Sequence, residues 1–149
     1  MANEAVWLER PLGGTNPYQF TVAAGTSISK GTIIVLSSYP RTATASTTAA
    51  VVLTQVPLGI LNADKDGADP SIRVGIDTEG IYDLTVVAGG PGSIIQIGEF
   101  VELSGANLIR GCQPRGVSGA EFISGGRYVL GYALETGSAS EVIAVKLTV

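Results

Sequence analysis

One phrase constrains this chain more than any other, because it occurs twice. Ile28-Ser29-Lys30-Gly31-Thr32-Ile33-Ile34-Val35-Leu36 is echoed by Ile95-Gln96-Ile97-Gly98-Glu99-Phe100-Val101-Glu102-Leu103. Each copy reads Ile-x-x-Gly and then a short strand-like run ending in leucine. A variable stretch follows, and then a second shared phrase: Val56-Pro57-Leu58-Gly59-Ile60-Leu61 in one case, Tyr128-Val129-Leu130-Gly131-Tyr132-Ala133-Leu134 in the other. Polar turn residues and a closing strand complete each copy, Ser71 to Ile76 and Glu141 to Val149. Recurrence at an offset of roughly seventy residues predicts two related halves within one β domain.

Composition supports that reading. Glycine supplies 20 of the 149 residues, and Val, Ile and Thr are abundant, a mixture that favours short strands joined by tight turns. Charged residues are 15% of the chain and the mean hydropathy is +0.34, too apolar for disorder. Some of that apolar surface is expected to be buried against other copies or a larger partner. The net charge of −4 and scattered basic residues argue against a nucleic-acid partner. Cys112 is the single cysteine, so no intrachain disulfide is possible, and it reads as a small apolar residue in or near a strand. The N-terminus carries Glu4 and Glu9 where a secretory signal needs basic residues, and no apolar run approaches a bilayer's thickness. Synthesis in the cytosol and no membrane partner are the expectation.

Taken in order, residues 1–19 differ from the rest. Trp7 and Leu8 lie among charged residues, and Arg10 is followed by Pro11, Gly13, Gly14 and Pro17, which forbid a helix. Met1 to Gln19 therefore reads as an extended N-terminal arm, and residues 20–149 as a single all-β domain. Indole is a favoured interface anchor, so Trp7 either meets a partner or folds back onto its own barrel. Strands are expected at Phe20 to Ala24, Thr32 to Leu36, Ala49 to Leu53, Leu58 to Asn62, Arg73 to Thr78, Ile81 to Val87, Asn107 to Gly111, Arg127 to Leu134 and Val142 to Val149, while Ile94 to Leu103 carries the second copy of the repeat, a glycine turn and then a strand ending in leucine. Thr42 to Thr48 alternates Thr with Ala and reads as a mobile loop more than an edge strand. One short helix is conceivable within Gly116 to Ile123.

Little chemistry is encoded. Asp64-Lys65-Asp66-Gly67-Ala68-Asp69 invites a calcium reading, but its glycine comes at the fourth position and Gly75 stands at the twelfth, where a calcium loop needs glutamate. A solvated acidic turn is expected instead. The glycine-rich run Val87 to Ser93 lacks the Gly-Lys-Ser/Thr ending of a phosphate loop. Without histidine, the Ser-His and Cys-His nucleophile systems are absent, and a zinc site would need carboxylates alone. Glu99 and Glu102 are an odd number apart, which on a regular strand sends them to opposite faces, with a solvated face as the default. No catalytic residue, no metal site and no cofactor is expected, and the chain does not read as an enzyme.

The pattern carried by Ile28 to Leu36, Leu58 to Leu61, Arg73 to Ile76, Ile95 to Leu103, Leu130 to Leu134 and Val142 to Leu147 resembles the capsid decoration (cement) proteins of tailed bacteriophages. The resemblance covers Thr21 to Val149 and is structural, not chemical. It implies a small β-barrel or β-tulip domain that assembles as homotrimers on the outside of the expanded head, contacts the major capsid protein and stabilises the shell. Localisation would be the outer surface of the virion, after synthesis in the host cytoplasm. In related proteins an N-terminal arm orders on the shell, which would assign capsid contact to Trp7, Leu8, Arg10, Pro11 and Tyr18. The rival readings are a carbohydrate- or receptor-binding β module and a tail or fibre subunit. The first wants clustered exposed aromatics, and Tyr18, Tyr39, Tyr82, Tyr128 and Tyr132 are dispersed along the sequence.

Overall fold

The computed structural model describes residues 4–9, 18–37, 41–47, 56–112 and 129–149, with the side chains of residues 7–9 outside that description. Among the described residues there is no helix, and the strands are β1 (Val6–Glu9), β2 (Tyr18–Thr21), β3 (Ile33–Leu36), β4 (Ala43–Ala45), β5 (Pro57–Leu61), β6 (Arg73–Asp77), β7 (Glu79–Val86), β8 (Phe100–Gly105), β9 (Leu108–Gly111), β10 (Val129–Ala133) and β11 (Val142–Thr148). The protein is all-β, in two sheets. One has the order β2-β6-β5-β3-β4 and the other β1-β7-β11-β10-β8-β9.

Setting β1 aside, the two sheets are the same arrangement. In each, the first strand of the half pairs with the fifth, the fifth with the fourth, the fourth with the second, and the second with the third. Each is then turned back on itself by a parallel contact between the third strand and the first. In the second half this is the β7–β9 pairing, Thr85 with Leu108 and Val86 with Ile109, which closes a ring. In the first half it is a single bridge between Thr21 and Thr42, where the Thr21 N–H and hydroxyl both donate to the Arg41 carbonyl, at 3.1 and 3.0 Å.

Register is duplicated too. Ile33 pairs with Ile60, Ile34 with Gly59 and Val35 with Pro57, leaving Leu58 as a bulge. Phe100 pairs with Tyr132, Val101 with Gly131 and Glu102 with Val129, leaving Leu130 as the matching bulge. The bridge of Ile28 to Lys65 answers that of Ile95 to Gly137. A bulge bends its strand and raises the local twist, which is what a few short strands need to close on themselves.

The glycine of each Leu-Gly phrase has a steric cause. A Cβ on Gly59 would run into the Asp77 carbonyl oxygen, and one on Gly131 into the Lys146 carbonyl oxygen. Among the described glycines these two meet the nearest neighbouring atoms, and only a hydrogen fits.

Alternation builds the interiors. β7 buries Gly80, Tyr82, Leu84 and Val86 and leaves the residues between them partly or fully exposed. The first ring has its own core of Val22, Ile28, Ile34, Ala43, Leu61, Val74 and Ile76. The second core is larger. Besides residues of β7 to β11 it takes in Ala5, Ile33, Val35 and Ile60 from the first half, so it joins the halves. A polar joint accompanies it at the β8–β9 turn. Asn107, buried and left-handed at φ 57°, accepts the Ile33 N–H through Oδ1 at 2.8 Å, and its own N–H donates to Ser46 Oγ at 3.1 Å.

Two sequence expectations need correction. The Thr/Ala-rich stretch is not a loop throughout: Ala43–Ala45 forms β4, because Ala43 is small enough to enter the first core. Glu79 and Gly80 are not a turn but the start of β7, paired with Thr148 and Leu147. The strand expected at Ala49 to Leu53 and the conceivable helix within Gly116 to Ile123 lie outside the described residues.

Two stability predictions follow from these contacts. Gly131→Ala should destabilise the fold by about 2–4 kcal/mol, as expected of an overpacked core site. Gly89→Ala, where nothing lies within 4 Å of the added carbon, should leave urea unfolding within about 0.5 kcal/mol of the parent. Asn107→Ala should cost about 2–4 kcal/mol by stranding the buried Ile33 N–H and placing a Cβ residue without side-chain hydrogen bonding in the left-handed region. Asn107→Asp, which keeps the acceptor, should lose less in the same denaturation experiment.

Candidate functional site

The N-terminal residues singled out from the sequence are split between the two sheets. The backbone of Trp7 and Leu8 lies in β1, an edge strand antiparallel to β7, with Val6 opposite Asp83, Trp7 opposite Tyr82 and Glu9 opposite Ile81. Leu8 is the irregularity in that register. The side chains of Trp7 and Leu8, and all of Arg10 and Pro11, lie outside the described residues. Tyr18 opens β2 in the other sheet, opposite Ile76, and is 64% exposed. Residues 6–9 are thus a strand of the protein's own sheet.

What seats β1 is the Gly31 turn. The Ala5 N–H donates to the Gly31 carbonyl at 2.7 Å, and Ala5 is buried. Gly31 has φ 85°, and a Cβ there would strike the Ala5 carbonyl oxygen. β1 then takes the half of β7's edge that β9 leaves free, because β9 reaches only Thr85 and Val86. Among the described strands β1 pairs on one side only, and Val6 is exposed. Its other edge carries the backbone groups through which an extended segment of another protein can add as a strand.

Several carboxylates accept backbone N–H groups in turns and loops. Asp64 accepts the Lys30 N–H at 2.7 Å, Asp66 that of Ala68 at 2.9 Å and Asp69 that of Ser71 at 2.9 Å. Buried Lys65 turns its ammonium onto the carbonyls of Asp66 and Asp69 in the same loop. A positive charge from the chain itself therefore sits where the calcium reading would have put a cation. Glu99 and Glu141 close their own turns by accepting the N–H groups of Gln96 and Ser138. Among the described residues no group of three or more His, Cys, Asp or Glu side chains is arranged to hold a metal.

Glu102 departs from the solvated position expected for it. It is 1% exposed, and its Oε1 lies 2.7 Å from Nε of Arg110 on the neighbouring strand. In the first half the same paired positions hold Val35 and Thr44. Asp77 is likewise buried and accepts the Tyr82 hydroxyl at 3.0 Å.

Two surface features could not be read from residue spacing. Arg41 and Arg73, far apart in sequence, line one groove with Gln19, Phe20 and Thr21. Ile97 and Phe100 are 68% and 56% exposed, and Phe100 is paired with Tyr132, whose ring has the Lys146 ammonium 5.8 Å from its centroid. No family model and no curated protein matches this chain.

The Glu102–Arg110 pair yields a paired prediction. Arg110→Ala should destabilise by about 3 kcal/mol, because the carboxylate remains buried without its guanidinium. The double variant Glu102→Val with Arg110→Thr, which installs the first half's solution, should melt within a few degrees of the parent or above it.

Proposed function

We propose that this protein is a structural component of a tailed-bacteriophage virion, binding the outside of the expanded head as trimers and stabilising the capsid. Its partners on this reading are the major capsid protein and other copies of itself. The observation that carries the proposal is the coincidence of two repeats. The glycine and Leu-Gly phrases that resemble cement proteins are the residues on which each ring turns and bulges. A protein of this kind needs faces, not an active site, and Asp66, Asp69, Glu99 and Glu141 brace turns while Glu102 pairs with Arg110. Many weak contacts on a shell add through multivalency, so no single contact need be strong.

The free edge of β1 is the surface best suited to the shell, since it can accept a strand. Because β1 and the start of β2 belong to the sheets, a point substitution probes this better than removal of the N-terminal residues. Co-sedimentation with expanded, empty heads should show saturable binding by the full chain. Val6→Lys, placed on the exposed side of β1 and opposite Asp83, should weaken it about tenfold without lowering the melting temperature. Saturable binding unaffected by Val6→Lys would move the contact to the rings. No binding at any salt concentration would overturn the proposal in favour of a tail, fibre or carbohydrate-binding module.

A further inference from the structure

The duplicated halves do not have duplicated surroundings. On the side of β3 and β5 turned away from the first ring's own core, Ile33, Val35 and Ile60 are 0%, 1% and 1% exposed. They are buried because they join the cluster containing Tyr82, Leu103, Leu130 and Leu147. Those four lie toward one end of the second ring, the end that also carries the β8–β9 turn with Asn107 on the Ile33 N–H. Within each chain, then, the outer face of the first half stops the end of the second ring.

Register identifies the counterparts of both surfaces. The outer-face residues Ile33 and Ile60 correspond to Phe100 and Tyr132, each pair being cross-strand neighbours at the same place in its half. Phe100 is 56% exposed, Tyr132 is half-buried, and Ile97 beside the same turn is 68% exposed. The ring-end residues Tyr82 and Leu103 correspond to Tyr18 and Leu36, paired with Ile76 and Ala43 as Tyr82 and Leu103 are with Val145 and Ile109. Tyr82 and Leu103 are 3% and 2% exposed, whereas Tyr18 and Leu36 are 64% and 36% exposed. The apolar pairs at the rim of this plug and socket are thus present a second time and exposed or half-buried, while between them Glu102, buried with Arg110, stands where the first half has Val35.

We infer that the occupant of each is a second copy of this chain: the Phe100–Tyr132 face of one copy seats on the Tyr18–Leu36 ring end of the next. The contact repeats between copies the one that each chain makes within itself. It is heterologous, so successive copies run head to tail, and a closed assembly alternates first and second rings around its axis. The inference deepens the self-association part of the proposed function and needs no shell to be tested.

The test is sedimentation velocity on the full chain at micromolar concentration, with Phe100→Asp, Tyr18→Asp and, as a control at an exposed apolar site elsewhere, Val142→Asp. The parent and Val142→Asp should be oligomeric. Phe100→Asp and Tyr18→Asp should each retain the parent's melting temperature as judged with the parent held dilute enough to be monomeric, and each should associate roughly thirtyfold more weakly or worse. Each retains one competent face, so an equimolar mixture of the two should form a one-to-one heterodimer that grows no further, because only one intact contact is left to it. A monomeric parent, oligomers that survive both substitutions, or a mixture that stays monomeric would overturn the inference. An oligomeric parent that fails to bind heads would instead overturn the shell assignment and leave this contact standing.

Discussion

The fold depends on two places where a main-chain carbonyl occupies the space of a side chain. At Gly59 the intruder is Asp77, and at Gly131 it is Lys146. In both, a neighbouring strand crosses closer than any Cβ permits, and a bulged leucine adjoins the crossing. Each half also brings its third strand back beside its first, by the β7–β9 ladder in one sheet and by a single bridge between Thr21 and Thr42 in the other.

That constraint also explains what could be read in advance. Glycines forced by backbone contact cannot drift to another residue without cost, so the two halves still share their Gly and Leu-Gly phrases, and the all-β, two-half organisation was legible from them. Strand ends were legible less well, because Thr-Ala alternation in Thr42 to Ala45 looks the same in a loop as in a strand whose small side chains pack inward. Glu79 and Gly80 resemble a turn until β11 is there to pair with them. Ring closure was not legible at all, since a bridge between Thr21 and Thr42 leaves no periodic trace.

For the candidate site, the pairing of residues 6–9 with β7 was hidden, a contact with no local signal. The difference between Ile33 and Phe100 was equally hidden. Both are apolar, on the same kind of strand and at the same position, and only the packing of the halves buries one and bares the other. Glu102 was hidden for the opposite reason: a carboxylate in an alternating strand reads as solvated, and its burial depends on Arg110 across a hairpin. Where the first half spans that position with Val35 and Thr44, the second uses an ion pair, so the halves have diverged in chemistry while keeping their geometry.

The shared edge of β7 has a consequence in time. β1 leaves the ribosome before the other described strands, yet its partner is made only after all the strands of the first half. Residues that distant meet only after a long loop closes, and the entropy of closure must be met before the contact returns anything. Pairing of β1 with β7 therefore carries a larger closure entropy than the pairings within the first half. Release of β1 would uncover the Gly31 turn and half of β7's edge, yet would break none of the strand pairings within either half.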